Sequence, residues 1–200
     1  SNISLFINVL QFLFNQFFFR YNILNNENIT GGIMLAIQVL STKTFMNQLL
    51  MGDQFSSFLL ESASVTTFNT FTIDGRIHSD FFDKEDPTLE DRTKYPFSRY
   101  MDVQEHLFTI IKGSRTPLNI KLSLLLMPEA MEKLLQNESC TVSKEQISNF
   151  VLNIRYDGLK IILTTAISYS GFTMDKSAEP IWDNALKKFL SAKEIPFEEV

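Results

Sequence analysis

The sequence predicts an α+β fold in which antiparallel strands pack with about four helices. Three observations predict it: alternating apolar and polar stretches typical of strands, apolar residues spaced three and four apart as in helices, and the turn dipeptides Asp74-Gly75 and Asp157-Gly158. Residues 34–200 have the size of one domain that can bury a core. We therefore predict one globular domain over 34–200, with the element order β-α-β-β-β-α-β-α-β-β-β-α.

The beginning of this domain predicts a short strand over 35–40 and an amphipathic helix that ends at Gly52. Residues 58–82 are rich in β-branched and aromatic residues, which favour strands. Aspartate followed by glycine is typical of a two-residue hairpin turn, because both positions tolerate positive φ. The hairpin predicted at the Asp74-Gly75 dipeptide pairs Phe71 with His78 and Asn69 with Asp80.

A polar excursion with two prolines, residues 83–97, separates this β-rich part from the next helix. That second helix is predicted over 101–112 and is followed by a strand in "PLNIKLSLLLM". Pro128 predicts the start of a third helix, because proline is favoured at the first helical position.

The last part of the chain predicts a hairpin, a strand and a closing helix. A two-residue turn at Asp157-Gly158 places Ile154 opposite Ile161 and Leu152 opposite Leu163. The segment "GFTMDKS" predicts a further strand, and residues 178–192 predict an amphipathic helix with a broad apolar stripe.

Two stretches, "FMNQLLMGDQFSSFLL" and "LFTIIKGSRTPLNIKL", each lead from an amphipathic helix through a glycine into an apolar strand. A β-α-β-β unit made twice is similar to the repeating unit of DNA sliding clamps. In clamps the helices present basic residues to DNA, whereas here the second helix carries Asp102 and Glu105. The topology therefore leaves a clamp-like, DNA-associated protein as an alternative.

The segments "TTFNTFTIDG" (66–75), "LNIRYDG" (152–158) and "FTMDKS…WD" (172–183) resemble an uncharacterised bacterial family catalogued as a domain of unknown function. The resemblance spans about residues 34–190. It implies one autonomous domain, and it assigns no catalytic residue because no activity is attached to the family.

Residues 1–33 have a different composition, with many Phe and Asn residues and only Arg20 and Glu27 charged. The glycine pair directly upstream of Ile33-Met34, read as purine-rich codons, corresponds to a bacterial ribosome-binding site. We interpret Met34 as the start and residues 1–33 as a translated upstream leader outside the domain.

Two other interpretations of this leader are disfavoured. A secretory signal needs a basic n-region and a small-residue cleavage site, yet no Lys or Arg precedes Arg20. A transmembrane helix needs about 20 mainly apolar residues. The apolar stretch is interrupted by Asn8, Gln11, Asn15 and Gln16.

The net charge indicates which classes of partner are disfavoured, and the cysteine content indicates the cellular compartment. The net charge is −5 and remains so without the leader, which contributes one base and one acid. An acidic chain with scattered basic residues is poorly suited to phosphate backbones, so direct nucleic-acid binding is disfavoured. The single Cys140 excludes an internal disulfide and indicates a reducing cytoplasm.

The only close histidine and carboxylate cluster comprises His78, Asp80 and Asp83, beside Asp74. On a strand, residues two apart point the same way, as metal ligands must. The cluster is the candidate for a metal site, and a small metal-assisted hydrolase would need a further ligand such as His106. The ordinary explanation is a turn followed by a polar loop.

Other catalytic patterns have structural explanations. Asp102 and His106 lie four apart, which suits an acid–base pair but equally a surface pair on a helix. Nucleotide-binding glycine motifs and a nucleophile elbow are missing from the sequence, so no catalytic residue and no cofactor is predicted.

Hydroxyl residues of one parity form the remaining candidate, a binding face made by Ser62, Ser64, Thr66, Thr70 and Thr72 with Phe68 among them. On an unbroken strand they would stack along one sheet face. Solvated antiparallel sheets do this without any binding role. We predict a non-catalytic cytoplasmic binding or scaffold domain whose partner is another protein or a second copy, with a metal-assisted hydrolase as the alternative enzyme.

Overall fold

The computed structural model describes residues 35–83, 85, 87–137, 142 and 144–200. Short 3-10 turns occur at Ser79–Phe81 and Lys144–Gln146. In chain order the strands and α-helices of these residues are β1 (Ala36–Val39), α1 (Thr42–Met51), β2 (Phe58–Thr66), β3 (Thr70–Asp74), α2 (Leu89–Arg92), α3 (Tyr100–Ile111), β4 (Asn119–Leu126), α4 (Pro128–Asn137), β5 (Ile147–Tyr156), β6 (Ile161–Tyr169), α5 (Ala178–Ala192) and β7 (Phe197–Glu199).

The seven strands form one antiparallel sheet with the order β3-β2-β4-β5-β6-β1-β7. β3 and β7 are therefore its edge strands. The predicted α+β class with an antiparallel sheet is confirmed. Within the described chain the order β-α-β-β occurs twice, in β1-α1-β2-β3 and in β4-α4-β5-β6, so the second unit contains α4 and not α3, the helix in which the sequence repeat placed it.

Helices cover one face of the sheet, which we call the inner face. Side chains alternate between the faces of a strand, so every second residue reaches the core. Leu124 of β4 and Leu152 of β5 are fully buried in this way. Trp182 of α5 packs on the same face, and its indole N–H donates to the Val151 carbonyl oxygen at 2.9 Å.

Side chains of α3 donate hydrogen bonds to the carbonyl oxygens at the C-terminal end of α1. The Gln104 amide donates to the carbonyl oxygens of Leu49 at 2.8 Å and Gly52 at 2.7 Å, and the Tyr100 hydroxyl donates to that of Leu49 at 2.8 Å. The last carbonyls of a helix lack partners within the helix, so these bonds satisfy them. Burial raises the pKa of Tyr100 far above its ordinary value, which keeps the phenol a neutral donor.

The opposite, outer face carries a small apolar cluster of Leu59, Tyr95 and Leu125. The Tyr95 hydroxyl donates to the Glu129 carboxylate at 2.8 Å, and the Lys94 ammonium lies 2.8 Å from the same oxygen. The Lys94 hydrogen bond, then a backbone hydrogen bond at Glu129 and then the Tyr95 hydrogen bond lower the pKa of Glu129 to about 2. The polar excursion is thereby attached to the start of α4.

Asp74-Gly75 does not form the predicted hairpin turn, and that prediction is wrong. β3 ends at Asp74, and the strand expected after it is replaced by an extended segment and the 3-10 turn at Ser79–Phe81. The actual hairpin turn lies earlier, at 67–69, so Phe71 pairs with Val65 and not with the predicted partner.

Gly75 serves a close backbone contact instead of a turn. Its N–H donates to the Glu61 carbonyl oxygen at 3.0 Å, and its own carbonyl oxygen accepts from Ser98 N–H at 2.7 Å. A Cβ at this position would lie 1.8 Å from the Leu60 carbonyl oxygen. Glycine is therefore the one residue that fits between these backbone segments.

The hairpin formed by β5 and β6 is confirmed, although its register differs from the prediction by two residues. Ile154 pairs with Leu163 because the loop has four residues, 157–160, instead of two. The Asp157 carboxylate accepts N–H bonds within this loop, and Gly158 adopts a positive φ of 92°. A shift by two leaves every side chain on its predicted face.

The strand predicted in "GFTMDKS" is absent, and that prediction is wrong. Residues 171–177 are irregular, with Phe172 and Met174 almost fully exposed. The unpredicted β7 follows α5 and pairs with β1, which places Phe197 opposite Val39. The backbone N–H and C=O groups of a strand need hydrogen-bond partners on a neighbouring strand. An alternating residue pattern does not show whether such a neighbour exists.

The leader interpretation of residues 1–33 and the interpretation of Met34 as the start both lie outside the described residues. Within the described ranges, no helix is long and apolar enough to cross a membrane.

Candidate functional site

The hydroxyl residues singled out in the sequence lie together on the outer face of the β2–β3 hairpin. Thr66 pairs with Thr70 and Ser64 with Thr72, while Ser62 faces Asp74. We call the side chains of Ser62, Ser64, Thr66, Thr70 and Thr72 the hydroxyl face. Its members are exposed or partly exposed.

The hydroxyl face forms although the strand is not unbroken. Residues 67–69 make a three-residue turn, which brings Thr70 back beside Thr66 and keeps the even-numbered residues on one side. The two hydroxyl oxygens of this pair lie 3.1 Å apart, within hydrogen-bonding distance. Opposed pairs of this kind place hydroxyls closer together than stacking along one strand does.

The neighbouring strands extend the polar surface. On β4, Asn119 pairs with Thr66 and Lys121 pairs with Ser64, and Arg155 of β5 pairs with Lys121. Directly paired residues share a face, so the two cations stand beside the hydroxyls. Neither cation forms a salt bridge with another residue in the described part of the chain.

At one end of this surface a hydroxyl, that of Ser123, is already hydrogen-bonded to a carboxylate. The Ser123 hydroxyl donates to the Glu61 carboxylate at 2.5 Å, so this serine already has an acidic partner. The bulge of β2 between Leu60 and Ser62 lies here and shifts the register against β4. The hydroxyls without an acidic partner therefore lie toward the 67–69 turn.

Phe68 occupies the tip of the hairpin. Its side chain is 87% exposed, and its ring meets the Phe71 ring edge-on with centroids 5.9 Å apart. The Phe71 side chain lies on the inner face, and the predicted place of Phe68 among the hydroxyls along a strand is corrected to the turn.

The structure does not align the metal candidates on a strand. His78 precedes the 3-10 turn, Asp80 lies within that turn, and Asp83 follows it, all three exposed. The prediction that His78 and Asp80 project together from a strand is therefore wrong. In the described ranges no group of three or more His, Cys, Asp or Glu residues is arranged to hold a metal ion.

Asp102 and His106 lie one turn apart on α3, as their spacing predicts, and both are exposed. No hydrogen bond joins them in the described structure. The Asp102 charge instead helps to raise the pKa of Arg99, after the larger effect of the Arg99 hydrogen bond to Asp91. The pair is a surface pair. Cys140 lies outside the described residues.

Sequence reasoning missed a buried polar connection between β1, β6 and α5. Thr165 is fully buried; its hydroxyl donates to the Asp183 carboxylate at 2.5 Å and accepts the Leu35 N–H at 3.1 Å. Burial raises the pKa of Asp183 above its ordinary value, and the Thr165 hydrogen bond opposes this rise. The pattern "TT" in an apolar strand could have indicated this connection, because the hydroxyl of a threonine on the core face needs a hydrogen-bond partner.

We expect Asp183→Asn to increase the free energy of unfolding at neutral pH. Because its pKa is raised, the Asp183 carboxyl holds its proton more tightly in the native state than in the unfolded state. Ionisation of Asp183 therefore lowers the free energy of unfolding as the pH rises from 3.8 through the raised pKa. Asparagine keeps an acceptor for Thr165 without the charge. Urea unfolding across the acid range should show the gain shrinking toward low pH.

The exposed Glu105→Gln substitution removes one negative charge elsewhere and is the control. If Asp183→Asn lowers stability at neutral pH while Glu105→Gln does not, the carboxylate stabilises the fold and the stated sign is wrong.

Comparison with protein-family models gives a match. The model of a family described as "Family of unknown function (DUF5721)" matches residues 48–198, more than half of the chain. No curated protein and no solved structure matches the chain. The predicted resemblance to a domain of unknown function is confirmed.

Proposed function

The chain belongs to DUF5721, a family of unknown function, and we propose that it is a non-catalytic binding module whose binding surface is the hydroxyl face. The observation that carries the proposal is the convergence of Ser64, Thr66, Thr70 and Thr72 from two strands on one exposed surface. Hydroxyls both donate and accept hydrogen bonds, so this surface suits a polar partner.

The charges beside this surface indicate the kind of partner. Lys121 and Arg155 are paired across β4 and β5 and lie in the same row as Ser64 and Thr72. Two adjacent cations that form no salt bridge within the described ranges favour a ligand that carries carboxylates or other anionic acceptors. We therefore expect an acidic protein segment as the partner.

The proposal places the module in the reducing cytoplasm of a bacterium. The single cysteine of the chain supports this compartment, because extracellular domains of similar size commonly use disulfide pairs. The bacterial setting follows from the segments that resemble the bacterial family.

The test compares three forms of the full chain as baits in affinity purification from the native cell. They are the wild type, a face variant with Thr66, Thr70 and Thr72 replaced by valine, and a control variant with the exposed Thr44, Thr109 and Thr116 replaced by valine. Valine keeps the β-branched shape and replaces only the hydroxyl, with a methyl group. Captured proteins are identified by mass spectrometry, and affinities are then measured with the purified partner.

We expect a partner that the wild type and the control variant bind equally and that the face variant binds at least about tenfold more weakly. Each lost hydrogen bond contributes about 0.5–1.5 kcal/mol, and about 1.4 kcal/mol corresponds to a factor of ten. Equal binding by all three forms would contradict the proposal.

A further inference from the structure

The two edges of the sheet differ in their protection against pairing with another strand. β7 has three residues, two of which are the exposed Glu198 and Glu199, and Glu199 forms a salt bridge with Lys187 at 2.6 Å. A short, charged edge is a usual defence against edge-to-edge association. The β7 edge is therefore protected.

The β3 edge has none of these defences. β3, with the sequence TFTID, contains five residues and no lysine or proline, and its pairing with β2 has no bulge. Its only charged residue is Asp74, at the end of the strand, where the carboxylate accepts the Arg76 N–H at 3.0 Å. Within the described chain β3 pairs with β2 alone.

The register shows which backbone groups β3 leaves open. Thr67 N–H donates to the Asn69 carbonyl oxygen, and Gly75 N–H donates to that of Glu61, so the odd-numbered residues of β3 face β2. Backbone direction alternates along a strand. The N–H and C=O groups of Thr70, Thr72 and Asp74 therefore point to the open edge.

We infer that this edge pairs with the β3 edge of a second copy, antiparallel and symmetric about Thr72. In this register Thr72 faces its counterpart, and Thr70 of each copy faces Asp74 of the other, so the open backbone groups bond reciprocally. The charges suit the arrangement, because each Asp74 meets a neutral threonine and not the other acid.

The side chains also complement themselves in this arrangement. Phe71 of each copy meets Ile73 of the other on the inner face, and Phe71 is 36% exposed in the single chain. Covering an exposed aromatic side chain with a β-branched neighbour stabilises a cross-strand pair. The outcome is one continuous sheet of two copies, with the hydroxyl faces adjoining.

The inference goes beyond the proposed function, since it needs no ligand on the hydroxyl face. A contact based on one five-residue strand is small beside the standard protein interface of about 1,600 Å². The dimer is therefore in concentration-dependent equilibrium with the monomer.

Light scattering coupled to size-exclusion chromatography tests the pairing on the full chain. We expect the wild-type mass to rise with concentration from 23.0 kDa toward twice that value. Thr72→Pro removes the N–H at the centre of the open edge without touching the bonds to β2, and edge strands tolerate proline. This variant should stay at the monomer mass, while Thr72→Val, which keeps the N–H, should dimerise like the wild type.

A wild type that stays at the monomer mass into the millimolar range overturns the inference, and so does a Thr72→Pro variant that dimerises normally. Cross-linking keeps the test decisive if the proline variant does not fold. In a Cys140→Ser background, Thr72→Cys should form an intermolecular disulfide on oxidation, because directly paired residues lie within bridging distance. Thr66→Cys, one strand inward, is the control. Equal or absent cross-linking of both variants overturns the inference.

The two proposals fail separately. The valine face variant keeps every backbone N–H of β3, so it loses the ligand and not the dimer. Thr72→Pro loses the dimer while most of the hydroxyls remain.

Discussion

Replacing Phe55 with alanine is expected to lower the free energy of unfolding by about 3–5 kcal/mol. Phe55 is fully buried, and its ring contacts four other aromatic rings at centroid distances of 5.4–6.1 Å. Those partners are Phe45, Phe58, Tyr100 and Phe189. The ring thus joins α1, β2, α3 and α5, so its removal leaves a cavity that no single element can close.

Chemical denaturation followed by Trp182 fluorescence measures this loss, because the single tryptophan is buried in the same core. A loss of about 3–5 kcal/mol is a large part of the 5–15 kcal/mol that stabilises an ordinary domain. Phe68→Ala is the matched control, since it removes the same ring from an 87% exposed position. We expect it to change stability by less than about 0.5 kcal/mol. Similar losses in both variants would show that Phe55 is not at the centre of the core.

Replacing Gly75 with alanine is expected to destabilise the domain by about 3 kcal/mol or more. The added Cβ would lie 1.8 Å from the carbonyl oxygen and 2.7 Å from the carbonyl carbon of Leu60. These are backbone atoms, so relief requires that the strands separate. Separation weakens the bonds of Gly75 to Glu61 and Ser98, and overpacking and unmade buried hydrogen bonds each cost about 1–3 kcal/mol.

Gly113→Ala is the control for this substitution. No atom lies within 4 Å of a Cβ at Gly113, so alanine fits there and reduces the entropy of the unfolded chain. We expect a change within about 1 kcal/mol in denaturant unfolding. A Gly75→Ala variant as stable as Gly113→Ala would mean that the close approach to Leu60 does not restrict this position.

Local signals predicted the later helices and the second hairpin well. Pro128 starts α4 as expected, and α5 spans the predicted residues 178–192. Residues 147–169 form the expected hairpin, although the loop length changed its register. These features depend on residues that are close in sequence, where helix starts and side-chain alternation act directly.

The Asp74-Gly75 dipeptide shows that a sequence typical of a hairpin turn can occur for a different structural reason. Its composition is that of a hairpin turn, but the glycine is needed because the backbone of Leu60 passes beside it. Leu60 lies fifteen residues earlier in the chain, so no short-range pattern reveals this approach. The same limit explains the metal prediction, since residues 75–77 pair with residues 96–98 instead of folding back on β3, and Asp80 then lies in a 3-10 turn.

The hydroxyl face was identified from parity alone. Parity survived the misplaced turn because the three residues at 67–69 return the chain with even-numbered residues on the same side. The cations beside it were not predictable in this way, because the pairing of Ser64 with Lys121 and of Lys121 with Arg155 depends on strand order.

The sequence by itself determined the α+β class, the positions of the main helices and the faces on which the hydroxyl residues and the residues of the β5–β6 hairpin lie. The tertiary structure decided which strands are neighbours, which edge is left open and which buried groups such as Thr165 and Asp183 meet. The physical reason is that side-chain periodicity is set by local backbone geometry, whereas strand order depends on how the whole chain buries its apolar surface and satisfies its backbone hydrogen bonds.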